Sequence, residues 1–131
     1  MTTPTSVVTK VDFVTVPTKD FDAAAEFYGT ALGLPCSVRY PRFPGGEFET
    51  GSLTLSVIEP DSVGLAYEPN KNPIALHVED VESARAELES RGVSFSGDTL
   101  DTGVCHMALF QDPDGNALML HHRYAPRTPE G

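Results

Sequence analysis

Two stretches of similar pattern decide the fold of this chain: residues 11–24 read VDFVTVPTKDFDAA, and residues 73–84 read PIALHVEDVESA. Each begins with a short apolar run that is typical of a β-strand and continues into the apolar spacing of a helix. Asp20 and Asp80 stand between strand and helix, at the position of a helix N-cap. The chain therefore contains an internal repeat with a period of about sixty residues.

Both copies of the repeat continue in the same way. Gly33 and Gly92 are placed to end the two helices, and three strand-like segments follow each helix. Residues 112–116, DPDGN, carry proline and glycine where a tight turn needs them, and Gly45 and Gly46 predict a turn in the first copy. We therefore predict an α+β fold of two tandem βαβββ modules. Their strands are expected to form a curved mixed sheet around a concave cavity, with the helices on the outer face.

The two modules are predicted to share one domain over residues 1–131. Module 1 spans about residues 9–59, a linker rich in Pro, Gly and Asn spans 60–72, and module 2 spans about 73–124. Hydrophobic residues make up 40% of the chain, which is enough for one core. Neither module could bury its sheet alone, so we expect them to pack together.

The charge balance excludes some classes of partner. Lys and Arg number 9 and Asp and Glu number 19, which gives a net charge of −10 and argues against nucleic acid. A membrane partner is not expected, because the apolar runs are too short to cross a bilayer and no basic amphipathic helix is evident.

The first ten residues lack the apolar core of a signal peptide. A cytoplasmic location is predicted, with Cys36 and Cys105 reduced, and a small aromatic or cationic molecule is the expected partner.

The chain resembles the vicinal oxygen chelate superfamily, which includes glyoxalase I, bleomycin resistance proteins and extradiol dioxygenases. The resemblance rests on the strand, Asp, Phe-Tyr helix and Leu-Gly-Leu of residues 14–34, on the second opening at residues 74–80, and on the turn at residues 112–116. It covers about Val11 to Tyr124. It implies the paired-module fold and a homodimer, in which the cavity can be built across two subunits.

The resemblance also implies four metal-ligand positions, and in this sequence they are Phe13, Leu55, Pro73 and Met119. Manganese, iron, nickel and zinc prefer imidazole and carboxylate ligands, which none of these residues supplies. We therefore expect no metal at these positions and no cofactor. The four side chains would instead form an apolar floor that suits a nonpolar part of a ligand.

Strand alternation adds polar candidates to this floor. His77 lies four residues after Pro73 and His121 two after Met119, so both imidazoles are expected on the cavity face and near each other. They are either a ligand-binding or acid–base pair or two structural, hydrogen-bonded histidines. A metal site that uses both lacks an evident third ligand. The predicted ligand-binding residues are Phe13, Thr15, Leu55, Ala75, His77, Met119 and His121.

These observations predict a metal-independent small-molecule-binding protein of the glyoxalase/bleomycin-resistance type, with the ligand held in the concave sheet cavity. The first alternative is a metal-independent lyase or isomerase that uses His77 or His121 as acid or base. The second is an interaction domain that binds no small ligand. Fold alone does not decide among them, because function depends on the site.

Overall fold

The structure is a computed structural model that describes residues 6–127; the two ends of the predicted domain, 1–5 and 128–131, lie outside the described residues. The first helix continues as a π-helical segment over Glu26–Ala31, and a 3-10 turn spans Pro60–Val63. In chain order the elements are β1 (Phe13–Pro17), α1 (Phe21–Ala25), β2 (Cys36–Arg39), β3 (Gly45–Glu49), β4 (Thr54–Ile58), β5 (Ile74–His77), α2 (Val81–Ser90), β6 (Phe95–Asp101), β7 (Cys105–Gln111) and β8 (Ala117–Arg123).

The strands form two four-stranded mixed sheets, one for each module. Sheet A has the order β1-β4-β3-β2 and sheet B has the equivalent order β5-β8-β7-β6. In each sheet the first and last strands of the module pair in parallel, and the other pairs are antiparallel. The α+β class and the two βαβββ modules are confirmed. The curved sheet predicted around one cavity is, within the described residues, divided into these two sheets.

Both helices begin and end where the sequence predicts. The carboxylate of Asp20 accepts a hydrogen bond from the amide of Ala23, and that of Asp80 accepts one from Ser83, as N-caps do. The last turn of α2 is followed by Gly92 in the left-handed region, at φ +92°. Neither these helices nor any other in residues 6–127 is long and apolar enough to cross a bilayer.

One hydrophobic core joins the two modules. It contains Val16 and Leu55 from sheet A, Leu118 from sheet B, and buried residues of both helices. The helical segment of module 1 contacts both sheets: the Tyr28 ring lies 5.9 Å from that of Phe48 in β3, and the Phe27 ring lies 6.4 Å from that of Phe110 in β7. We call the core-facing side of each sheet its inner face and the opposite side its open face. Fully burying one such side chain contributes about 1.5–3 kcal/mol.

A buried polar junction fixes the β7–β8 turn of module 2 against module 1. The Tyr28 hydroxyl donates to Asp112 Oδ2 at 2.7 Å, and Asn116 Nδ2 donates to the carbonyl of Pro17 at 2.7 Å. Burial and the nearby Asp112 carboxylate raise the pKa of Tyr28, so its hydroxyl remains a donor. The predicted turn at residues 112–116 is confirmed, with Gly115 at φ +89°.

The predicted turn at Gly45 and Gly46 is wrong, because both glycines lie within β3. They are there for close packing. A Cβ atom on Gly45 would lie 2.9 Å from the ring of Tyr40, and one on Gly46 would lie 2.8 Å from the carbonyl of Val38. The absence of a side chain therefore lets β2 and its neighbouring loop approach the strand.

Candidate functional site

The open face of sheet A is polar, with one aromatic ring at its edge. Phe13 is 54% exposed, and Thr15 beside it is exposed as well. The register of β1, β4 and β3 places six side chains in two rows across this face. The rows are Phe13–Thr54–Glu49 and Thr15–Ser56–Glu47.

Hydroxyl groups hold both carboxylates of this open face in place. Glu49 accepts hydrogen bonds from Ser37 and, at 2.7 Å, from the Thr54 hydroxyl. The Tyr40 hydroxyl donates to Glu47 Oε2 at 2.7 Å. The hydrogen bonds from Ser37 and Thr54 hold the pKa of Glu49 below its ordinary value, so this carboxylate is ionised at neutral pH. The open face of sheet A is therefore anionic.

The open face of sheet B has a different character, since it is mostly apolar. Its residues also form two rows, set by the register of β5, β8 and β7. Apart from exposed Ala75 and His77, the side chains in these rows are half-buried. The rows are Ala75–Met119–Leu109 and His77–His121–Met107. Two thioethers and a leucine thus surround two imidazoles.

The predicted proximity of His77 and His121 is confirmed for the backbone, because the two residues are direct partners in the β5–β8 register. The ring of His77, however, is paired with a different histidine. Its centroid lies 5.7 Å from that of His122, and its Nε2 atom lies 3.2 Å from Glu79 Oε1. A role for His77 or His121 as acid or base remains a prediction.

The position of Leu55 corrects the sequence analysis. Leu55 is 1% exposed on the inner face, in register with Val14, whereas Thr54 is the partner of Phe13 on the open face. Leu55 follows Gly51 by four residues, as Met119 follows Gly115, but two residues separate Thr50 from Leu53 in the first turn and three separate Asp112 from Asn116 in the second. Counting from the glycines therefore shifted the register by one residue, which reverses the face.

The four positions implied by the family resemblance do not fit a divalent metal ion. Phe13 and Pro73 have no donor atom, Leu55 has none and lies in the core, and Met119 offers only a thioether. Ser56, the module 1 counterpart of Met119 once the turn lengths are matched, offers only a hydroxyl, which does not replace an imidazole or a carboxylate.

A separate, largely apolar cleft of ≈ 660 Å³ lies between the modules, a volume in the range of small-molecule sites. Three of the seven predicted ligand-binding residues border it, namely Leu55, Ala75 and His77; Phe13, Thr15, Met119 and His121 do not. Most of its wall comes from the inner faces and from α2. It is lined by Val14, Leu32, Leu34, Leu53, Leu55, Ile74, Leu76, Val78, Ala84, Leu88 and Leu120, with Glu87, His77 and the β3–β4 turn at its border.

Several open-face residues were not predicted from the sequence, although the sequence contains a signal for two of them. Met107 and Leu109 follow from the turn at residues 112–116, because a hairpin closed at Asp112 and Asn116 places Leu109 opposite Met119. The positions of Glu49 and Thr54 on the open face depend on the length of the β3–β4 turn, which the position of its glycine does not reveal.

Known proteins resemble this chain along most of its length. The uncharacterized protein YurT of Bacillus subtilis (strain 168) is 26% identical, and the match covers 85% of this chain and 97% of that protein. The structure of a glyoxalase/bleomycin resistance protein/dioxygenase from Nocardioides has a TM-score of 0.77 at 23% identity and covers 95% of this chain and 90% of that chain. TnmS3, an antibiotic binding protein from Streptomyces sp. CB03234, has a TM-score of 0.76 at 24% identity, and the match covers 91% of this chain and 99% of that chain.

A third solved structure, lactoylglutathione lyase from Agrobacterium tumefaciens, has a TM-score of 0.74 at 17% identity and covers 87% of this chain and 93% of that chain. At these identities the structural matches show a shared fold, which hosts both binding proteins and enzymes. The sequence model of the family matches residues 10–120. Two βαβββ modules and a match over nearly the whole chain lead to one conclusion: this protein belongs to the Glyoxalase/Bleomycin resistance protein/Dioxygenase superfamily.

Proposed function

We propose that this chain binds a small, partly aromatic organic molecule on the open faces of its sheets, without a metal ion at the four family positions. The observation that carries the proposal is the chemistry of those faces. Where the family resemblance implies metal ligands, Phe13 and Met119 present an aromatic ring and a thioether. Thioethers and aromatic rings pack well against ring-shaped ligands.

The charges of sheet A favour a cationic group on the ligand. Glu47 and Glu49 lie on the same open face as Phe13, and hydroxyl groups hold both of them. A net charge of −10 adds a long-range attraction for cations. The preferred ligand is therefore an aromatic ring that carries an amine. Among the similar structures, TnmS3 is an antibiotic binding protein, which supports a binding role on this fold.

A second copy of the chain completes the cavity in this proposal. Phe13 and Met119 lie on the open faces of separate sheets, and no strand pairing within the described residues joins those sheets. Strands β1 and β5 are the terminal strands of their sheets, and edge strands of this kind can pair with another chain. A homodimer that joins sheet A of one copy to sheet B of the other would form the curved sheet and its concave cavity.

The binding proposal can be tested with two probes that share a ring and differ in charge. Untagged protein in EDTA is titrated calorimetrically with 1-naphthylmethylamine and with 1-naphthoate. We expect the amine to bind more tightly than the carboxylate. Glu49→Gln should weaken binding of the amine by about twofold to fivefold at low salt, as for an exposed ion pair, and high salt should reduce this difference.

The matched control is Glu82→Gln, which removes the same charge from the first turn of α2, on the inner side of sheet B. It should leave affinity for the amine nearly unchanged. Equal affinity for the two probes, or an equal effect of both variants, would contradict the charge assignment. Loss of amine binding in EDTA would contradict metal independence. Light scattering tests the dimer: twice the chain mass of 14.1 kDa is expected, and a monomer at binding concentrations would exclude it.

A further inference from the structure

Three metal-ligating side chains converge where the parallel strands β5 and β8 end. His77 is the last residue of β5, Glu79 follows two residues later, and His122 lies one residue before the end of β8. One donor atom from each residue lies within 4.8 Å of the other two. Within the cluster, His77 Nε2 lies 3.2 Å from Glu79 Oε1.

A second observation singles out His122. Its Nδ1 atom is buried and has no hydrogen-bond partner among the described residues. Buried polar atoms in folded proteins are normally satisfied, and leaving one unpaired costs free energy. An imidazole binds a metal ion through one ring nitrogen, so an ion bound through Nδ1 would give this atom a partner.

The donor set indicates the class of ion. Two imidazoles and one carboxylate suit zinc, nickel or cobalt, whereas magnesium and calcium prefer oxygen ligands. Metal–ligand bonds of about 2.0–2.1 Å place tetrahedral donor atoms about 3.4 Å apart, so the cluster must contract slightly. The side chains of His77 and Glu79 are 64% and 92% exposed, which leaves them free to close on an ion.

We infer that His77, Glu79 and His122 bind one divalent transition-metal ion of the zinc and nickel class. The site is distinct from the four positions implied by the family resemblance, none of which is among its residues. It shares His77 with the open face of sheet B, but ligand binding as proposed above needs no metal. Three protein donors leave at least one coordination position open to water or to another ligand.

The test is calorimetric titration of untagged, EDTA-stripped and dialysed protein with zinc chloride, nickel chloride and magnesium chloride. We expect one zinc or nickel ion per chain and no comparable binding of magnesium. Glu79→Gln removes an exposed donor without disturbing the core, and His122→Ala removes the buried one. Each should weaken zinc binding by at least about tenfold, since losing even an outer-shell partner costs roughly 10–100-fold in metal affinity.

The matched control is His106→Ala. His106 is the direct β7 partner of His122 and contacts Asp101, but it does not belong to the cluster. Its replacement should change zinc affinity by less than about twofold, because it removes an imidazole outside the ligand set. Unchanged melting temperatures in EDTA establish that the variants are folded. The inference is overturned if zinc and nickel bind no better than magnesium, if Glu79→Gln binds zinc like the wild type, or if His106→Ala loses as much affinity as His122→Ala.

Discussion

Replacing Tyr28 with Phe removes one hydroxyl from the junction that holds the modules together. Tyr28 is fully buried and donates at 2.7 Å to Asp112, which is 5% exposed and retains its other donors, Asn116 and the amide of Asp114. The aromatic ring stays, so little cavity is created. A hydrogen bond to a charged group contributes about 1.5–3 kcal/mol, and we expect Tyr28→Phe to lower the free energy of unfolding by that amount.

Urea unfolding followed by circular dichroism measures this loss, and the matched control is Tyr67→Phe. The Tyr67 hydroxyl lies 3.0 Å from Asp114 Oδ1 in a half-buried position, so its loss should cost less, about 0.5–1 kcal/mol. A shift in midpoint without a change in slope would show a change in stability alone. Equal losses for Tyr28→Phe and Tyr67→Phe, or a loss below about 0.5 kcal/mol for Tyr28→Phe, would refute this account of the junction.

The pH dependence of stability checks the role of the Tyr28 hydroxyl independently. Burial and Asp112 raise the pKa of Tyr28 above its ordinary value of 10.0, so in alkali the unfolded chain releases this proton first. The stability that the hydroxyl contributes is therefore complete below pH 10 and is lost as pH rises above it. The stability difference between wild type and Tyr28→Phe should stay constant up to about pH 9 and shrink at higher pH. A difference that grows in alkali would show that the sign is wrong.

Three further changes have defined outcomes in urea unfolding. Asn116→Ala should cost about 2–4 kcal/mol, because the carbonyl of Pro17 loses its buried donor; a loss below 1 kcal/mol would contradict this. Asp80→Ala should lower the urea midpoint at pH 7 by removing the N-cap of α2. Hydrogen bonds from Ser83 lower the pKa of Asp80, so this difference should fade as pH falls below the ordinary value of 3.8, and a constant difference would contradict the assignment. Gly46→Ala should cost about 1–3 kcal/mol, since the new methyl group would lie 2.8 Å from a carbonyl oxygen; an unchanged midpoint would show that β2 can shift.

Much of the fold follows from local sequence signals. Asp20 and Asp80 cap helices because a short carboxylate after a strand satisfies free amides, and this chemistry is local. The turn at residues 112–116 is similarly self-contained. The prediction of a turn at Gly45 and Gly46 is wrong because glycine is needed there for a long-range contact. Strand packing leaves no room for a Cβ atom, and sequence order does not reveal that contact.

The candidate site was predictable only where strand register was fixed. For His77, Met119 and His121 a shared side of the sheet follows from alternation along β5 and β8, which needs only one reference residue. The face of Leu55 was not predictable in this way, since it depends on the length of a turn. The pairing of His77 with Glu79 and His122 depends on ring orientation at the strand ends, which no periodicity encodes.

Methyl NMR tests the claim that a small molecule binds the open faces without a metal. Apart from Met1, the only methionines are Met107 and Met119, both on the open face of sheet B, and the only isoleucines are Ile58 and Ile74. Ile74 borders the inter-module cleft, whereas Ile58 does not. With 1-naphthylmethylamine in EDTA, we expect the methyl resonances of Met107 and Met119 to shift and those of the two isoleucines to stay in place. A shift of Ile74 with both methionines unmoved would place the ligand in the cleft and contradict the claim, as would no shift at any of the four.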